Sequence, residues 1–175
     1  ALRVFIENEE LSLLQYCAVR ERISRAMALI EIDDVAAAGH ELDIAQRLQP
    51  LDIEAVVNCF PLLQQAGYSE FAEKLYRQYE KSIVDHLSSW PNDAMNLNNL
   101  AWMYSQCDRQ LDEALELSER AVRLAPSSAV YLDTLAEVHF RLGNNEKAIQ
   151  TMRQCVGLDP REPHYRENLV RFAKR

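Results

Sequence analysis

Four prolines, Pro50, Pro91, Pro126 and Pro160, follow one another at intervals of 41, 35 and 34 residues, and each closes a segment whose apolar residues recur with helical spacing. An interval of about 34 residues has room for two helices and their turns but not for a self-sufficient core, so such segments bury their apolar faces by stacking on one another. The chain therefore reads as an array of helix pairs. Arrays of this kind work through their exposed faces, which implies an interaction module and leaves its partner open.

Composition agrees. About half of the 175 residues are apolar, enough for one sizeable core, and only four are glycine, which leaves little room for hairpin turns. Ala, Leu, Glu, Gln and Arg dominate, so the expected class is all-α. The formal charge of −8 argues against a nucleic-acid or anionic-membrane surface, which would need a positive field. Acidity is concentrated in residues 1–92, with 15 acidic and 8 basic side chains, against 12 and 11 in residues 93–175. No run of about 18 apolar residues suggests a membrane span.

Residues 129–160 carry the pattern most clearly. Val130, Leu132, Leu135, Ala136 and His139 hold helical spacing, Gly143 and Asn144 interrupt it, and Ala148, Met152, Cys155 and Leu158 resume it. Ser127 and Ser128 stand at N-cap positions, and Gly143 suits the left-handed residue at a helix end. Ala136 and Ala148 let two backbones approach, with Leu132, Leu135 and Met152 filling the space around them. The preceding unit repeats the design with Leu97, Leu100, Ala101, Tyr104, Ala114, Ala121 and Pro126, with one extra residue between its helices. Ser118 stands there in place of a bulky residue, which predicts looser packing.

This order of residues resembles the tetratricopeptide repeat: a large residue, Leu, a small residue, an aromatic, a turn glycine, Ala, a large residue, Ala and Pro. Leu132, Leu135, Ala136, His139, Gly143, Ala148, Met152, Cys155 and Pro160 occupy those places in turn, His139 replacing the aromatic and Cys155 the alanine. The resemblance is strong over 94–160, weaker over 19–91 and absent before that. Upstream, Ala26, Leu29, Ala38, Leu42, Ala45 and Pro50 form one unit with Asp33 or Asp34 as a cap. Val56, Cys59, Leu63, Gly67, Ala72 and Tyr76 form another, about two turns longer between Phe71 and Trp90, with Pro61 predicting a kink in its first helix.

The resemblance implies a right-handed α-α superhelix, a solenoid of about four helix pairs. The expected divisions are a lead-in segment at 1–18, repeats at 19–52, 53–92, 93–126 and 127–160, and a capping helix at 161–175. In that last helix Tyr165, Leu169 and Phe172 oppose Arg166, Arg171, Lys174 and Arg175, which read as a solvated basic face.

In such arrays the first helices of successive units line a concave groove. The groove positions here would be Arg20, Ile23, Ser24, Met27 and Ile30, then Glu54, Val57, Asn58, Pro61 and Gln64. Met95, Asn98, Asn99, Trp102 and Ser105 follow, and then Val130, Asp133, Thr134, Glu137 and Phe140. Met27, Met95, Asn98, Asn99, Trp102, Asp133, Glu137 and Phe140 are the candidate partner-binding residues. Asn98 and Asn99 would bond a peptide backbone, Trp102 and Phe140 would anchor side chains, and Asp133 with Glu137, one turn apart, would favour a basic group. The competing reading packs Trp102 and Phe140 against neighbouring units and leaves the asparagines as caps. Chaperone-binding members of the family clamp a C-terminal carboxylate with paired Lys and Arg. That clamp is missing here, where Asn98, Asn99, Val130 and Thr134 stand beside acids.

An enzyme is not expected. His40, His86, His139 and His164 are scattered, and no HExxH, GxSxG or phosphate-cradling glycine motif occurs. Cys17, Cys59, Cys107 and Cys155 lie singly, each at a position suited to a small buried residue, so neither a zinc site nor a disulfide framework is suggested, and no metal or other cofactor is expected. Isolated cysteines favour a cytoplasmic setting, while export stays open because a chain beginning at Ala1 can be a trimmed piece. The expected partner is a protein or peptide, apolar with a basic group. The alternative is a homodimer or self-associating scaffold joined through the apolar run Leu2, Val4, Phe5 and Ile6.

Overall fold

The turns set the architecture. Asp33, Gly67, Asp108 and Gly143 all take positive φ, at 70°, 86°, 54° and 79°. Each sits at the end of a helix where the next amide reaches back across the last turn: Asp34 N–H to Leu29, Tyr68 to Leu63, Arg109 to Tyr104 and Asn144 to His139, all at 2.8–2.9 Å. One left-handed residue lets the chain satisfy terminal carbonyls and reverse direction. The same device therefore closes the first helix of every pair.

The computed structural model describes the backbone of residues 2–174 and the side chains of 13–174. Among the described residues the regular structure is nine helices and no strand, so the fold is an all-α helical repeat: α1 (Leu2–Glu31), α2 (Val35–Leu48), α3 (Glu54–Gln65), α4 (Ser69–Ser89), α5 (Ala94–Gln106), α6 (Leu111–Leu124), α7 (Ala129–Arg141), α8 (Asn145–Leu158) and α9 (Pro163–Ala173). None of them is long and apolar enough to cross a membrane. The chain divides into two compact units, Ala1–Ile83 and Val84–Arg175.

In the first unit the lead-in segment and the first repeat helix are one continuous helix, α1. No glycine or proline interrupts residues 8–31, so the helix runs through position 18 without a break. Val19, Ile23, Ala26 and Ile30 bury one of its faces, and Ala38, Leu42 and Ala45 bury the facing side of α2. Asp34 caps α2 by accepting from Ala37 N–H at 3.1 Å. The helix α3 continues through Pro61 to Gln65, and its Phe60 ring meets Tyr76 of α4 at 5.8 Å. Gly39 lets α2 approach Phe71 so closely that an added Cβ would lie 3.2 Å from the ring. The side chains of Leu2, Val4, Phe5 and Ile6 lie outside the described residues. The exposed surface of Cys17 corrects the expectation that all four cysteines are buried; Cys59, Cys107 and Cys155 are.

In the second unit α5 packs on α6 and α7, α7 on α8, and α8 on α9, which is the connectivity of a short solenoid. Asp93 caps α5 and Ser128 caps α7 through their side chains. The extra residue between α5 and α6 is absorbed by a second left-handed position, Gln110 at φ 41°. Ser118, the small residue of α6, is fully buried and its hydroxyl donates to the Leu115 carbonyl at 3.0 Å. Leu132, Ala136, Phe140, Ala148, Met152, Cys155, Tyr165 and Phe172 form one core, so α9 is part of the packing and not only its cover.

Candidate protein-interaction face

The candidate residues of the second unit lie on α5 and α7, two helices in contact. On α5, Met95, Asn99 and Trp102 recur at i, i+4 and i+7 and so share a face. Met95 is 57 % exposed, and Asn99 and Trp102 are half-buried. Neither the Asn99 amide nor the Trp102 indole N–H has a hydrogen-bond partner among the described residues. Val130 on α7 adds an apolar side chain 59 % exposed. Met27 is half-buried on α1 in the first unit, where Arg20 pairs with Glu54 and Asn58 donates to Glu54 Oε2 at 3.0 Å.

Three candidates are not the surface residues that the repeat geometry suggested. Asn98 is 5 % exposed, and its Oδ1 is buried without a partner. Phe140 is buried because α9 brings Phe172 onto it, with ring centroids 4.6 Å apart and planes 25° from parallel. Glu137, 1 % exposed, accepts from Arg141 Nε at 2.9 Å and is clamped by Arg171 of α9. Ile23, Ile30, Ser105 and Thr134, also expected on the surface, are buried.

Asp133, half-buried, accepts from Asn168 Nδ2 at 3.2 Å and faces His164 Nε2 at 3.6 Å. Burial raises its carboxyl above the usual range, against the opposing pull of His164 and of the Asn168 bond. The acids of α7 are thus answered from within the chain. Sequence reasoning passed over these partners, and it placed Arg171 on a solvated face. Arg141 was visible as an i+4 neighbour of Glu137. Arg171 and Asn168 lie about one repeat further on, so their role needed the stacking of α9 on α7. Buried His139, with an unpartnered Nδ1, is held below the usual imidazole range by burial first and by Lys147 second. No group of three or more His, Cys, Asp or Glu among the described residues could hold a metal ion.

These helix pairs, reversed at repeated left-handed turns and capped by a single helix, define a helical-repeat protein. Residues 129–162 match the family described as tetratricopeptide repeat, and solved structures show that fold over most of the chain. The chain is similar to MamA 41-end from Desulfovibrio magneticus RS-1, at 21 % identity over 89 % of this chain and 83 % of that one, with a TM-score of 0.53. It is similar to the tetratricopeptide protein TTC0263 of Thermus thermophilus, at 20 % identity over 88 % and 80 %, TM-score 0.55. The second tetratricopeptide domain of human RPAP3, solved in complex with the HSP70 peptide SGPTIEEVD, matches at 19 % identity over 64 % and 92 %, TM-score 0.53. A comparison with curated protein sequences gives no match. Tetratricopeptide domains generally mediate protein–protein interactions, and the fold is typically a non-enzymatic module.

Proposed function

We propose that this protein is a non-enzymatic adaptor that receives a peptide or partner segment on the α5/α7 face. The observation that carries the reading is the row Met95, Asn99 and Trp102: one face of one helix that combines exposed thioether, unpartnered amide and unpartnered indole. Asn99 would bond the ligand backbone, while Trp102, Met95 and Val130 would supply apolar contact. A basic group on the ligand would be drawn by Asp133 and Glu137 only where their internal partners let go. The acidic tail of the peptide in the RPAP3 complex finds no matching Lys and Arg pair on these positions. The test compares wild type with a Met95→Ala, Asn99→Ala, Trp102→Ala variant in affinity capture read by mass spectrometry. Partner loss with an unchanged melting temperature is expected. Equal retention of every partner overturns the reading.

Self-association is favoured by a second observation. Leu13, Leu14 and Tyr16 stand close together on α1 as exposed large apolar side chains, more than a soluble helix ordinarily leaves open. Light scattering should then show a mass that rises with concentration and falls on replacing Leu13 and Leu14 by Gln. A constant monomer mass excludes it.

A further inference from the structure

Resting on the peptide-face reading, we propose that α9 is a displaceable occupant of the acidic end of that face, competing there with a ligand that presents an arginine followed by an aromatic residue. The chain itself displays this chemistry. His164, Asn168, Arg171 and Phe172 recur at i, i+4, i+7 and i+8 on α9, against Asp133, Glu137 and Phe140 at i, i+4 and i+7 on α7. Arg171 clamps Glu137 and also lies against the stacked pair of rings, its guanidinium carbon 4.9 Å from the centroid of Phe140 and 4.8 Å from that of Phe172. Asn168 bridges the ends of the interface: its amide donates to Asp133, and its Oδ1 accepts from Arg171 at 3.1 Å.

A charged group, an aromatic ring and a bridging amide are more specific than a solvated cap requires, and they define what else could sit there. The helix is 11 residues long, too short to persist on its own, and it is anchored by Tyr165, Phe172 and Leu169. A terminal helix, joined to the rest of the chain at one end alone, belongs to the low end of local stability. Residues 159–162 tether it, so its effective concentration at α7 is high. A competitor must therefore match both the charge and the ring. When α9 leaves, Glu137 keeps Arg141 alone, Asp133 loses Asn168 and His164, and Phe140 loses its stacking partner.

The test uses a fluorescein-labelled peptide copying residues 161–174, titrated by anisotropy against the full chain and against the full chain with Arg171→Glu and Phe172→Ala. That variant loosens α9 and leaves α7 intact. The peptide should bind it at least about tenfold more tightly than wild type, because the tethered competitor is gone. Adding Glu137→Arg should abolish binding. Equal affinity for wild type and variant, no binding to a variant that keeps its helicity outside α9, or binding that survives Glu137→Arg overturns the proposal. Should the variant lose more helicity than the 11 residues of α9 account for, hydrogen exchange on the wild-type chain decides: amides of 164–173 exchanging at least about tenfold faster than those of α7 support it, and equal rates overturn it. No α5 residue enters this measurement. Failure of the Met95, Asn99 and Trp102 variant to weaken capture therefore strikes the peptide-face reading separately.

Discussion

Arg171 of α9 closes on Glu137 of α7 across one repeat, and the carboxylate it meets is almost wholly removed from solvent, with Arg141 on its other side. A buried charge that loses one partner keeps its desolvation cost and loses part of what offsets it. Arg171→Ala should therefore lower unfolding free energy by about 1–3 kcal/mol, the remaining Arg141 limiting the loss. Glu137→Gln should weaken the effect of Arg171→Ala to near nothing. Urea denaturation of the four species of this cycle checks both, and additive single effects would show that the two side chains are not coupled.

The four left-handed turns divide into two held by glycine and two held by aspartate. Gly67 and Gly143 have open space where a Cβ would point, so alanine there meets no neighbour and its whole cost is backbone strain. Each Gly→Ala change should cost about 1 kcal/mol. Asp108→Gly, at φ 54°, relieves strain of the same kind and should be neutral or stabilising by up to about 1 kcal/mol. Thermal midpoints of the three variants test this, and a Gly143→Ala protein as stable as wild type would contradict it.

His139 carries a pH dependence with a definite sign. Its imidazole is held below its ordinary value in the fold, so the protein binds the proton less readily than the unfolded chain does. The stability this gives is complete above about pH 6.5 and is lost as pH falls towards the lowered folded value. A phenylalanine at 139 removes both that loss and the unpartnered Nδ1. His139→Phe should gain about 1 kcal/mol at pH 7.5 and a larger margin at pH 5, measured as urea midpoints. A margin that shrinks on acidification would reverse the assignment.

Spacing carried most of the fold. The prolines and turn residues mark each helix pair, and the small residues Ala26, Ala38, Ala101, Ala114, Ala136 and Ala148 all prove fully buried. The interaction face was less legible, for reasons visible in single residues. Asn98 and Asn99 are chemically identical and adjacent, yet a helix turns about 100° between them, so one is buried and the other is half-open. Phe140 is covered in part by Phe172, which follows 32 residues later. Periodicity along one helix contains the first of these facts only roughly and the second not at all, since pairing between elements depends on register in the stack.

The cysteines separate into two populations that chemistry can distinguish. Burial pushes the thiols of Cys59 and Cys155 up to about 12, with Asp133 adding to the effect at Cys155. At pH 8 the reactive thiolate is then on the order of one part in ten thousand at these two sites, and the surrounding core blocks approach as well. Cys107 is buried too, whereas Cys17 is open to solvent on α1. Iodoacetamide at pH 8 should therefore add a single label to the native chain, at Cys17, within minutes, and the remaining three only after denaturant is added. Intact mass followed by peptide mapping reads the order. Rapid labelling of Cys155 in the native chain would mean that the α7–α9 core opens on that timescale, which would transfer the reactivity from the thiol's environment to the motion of α9.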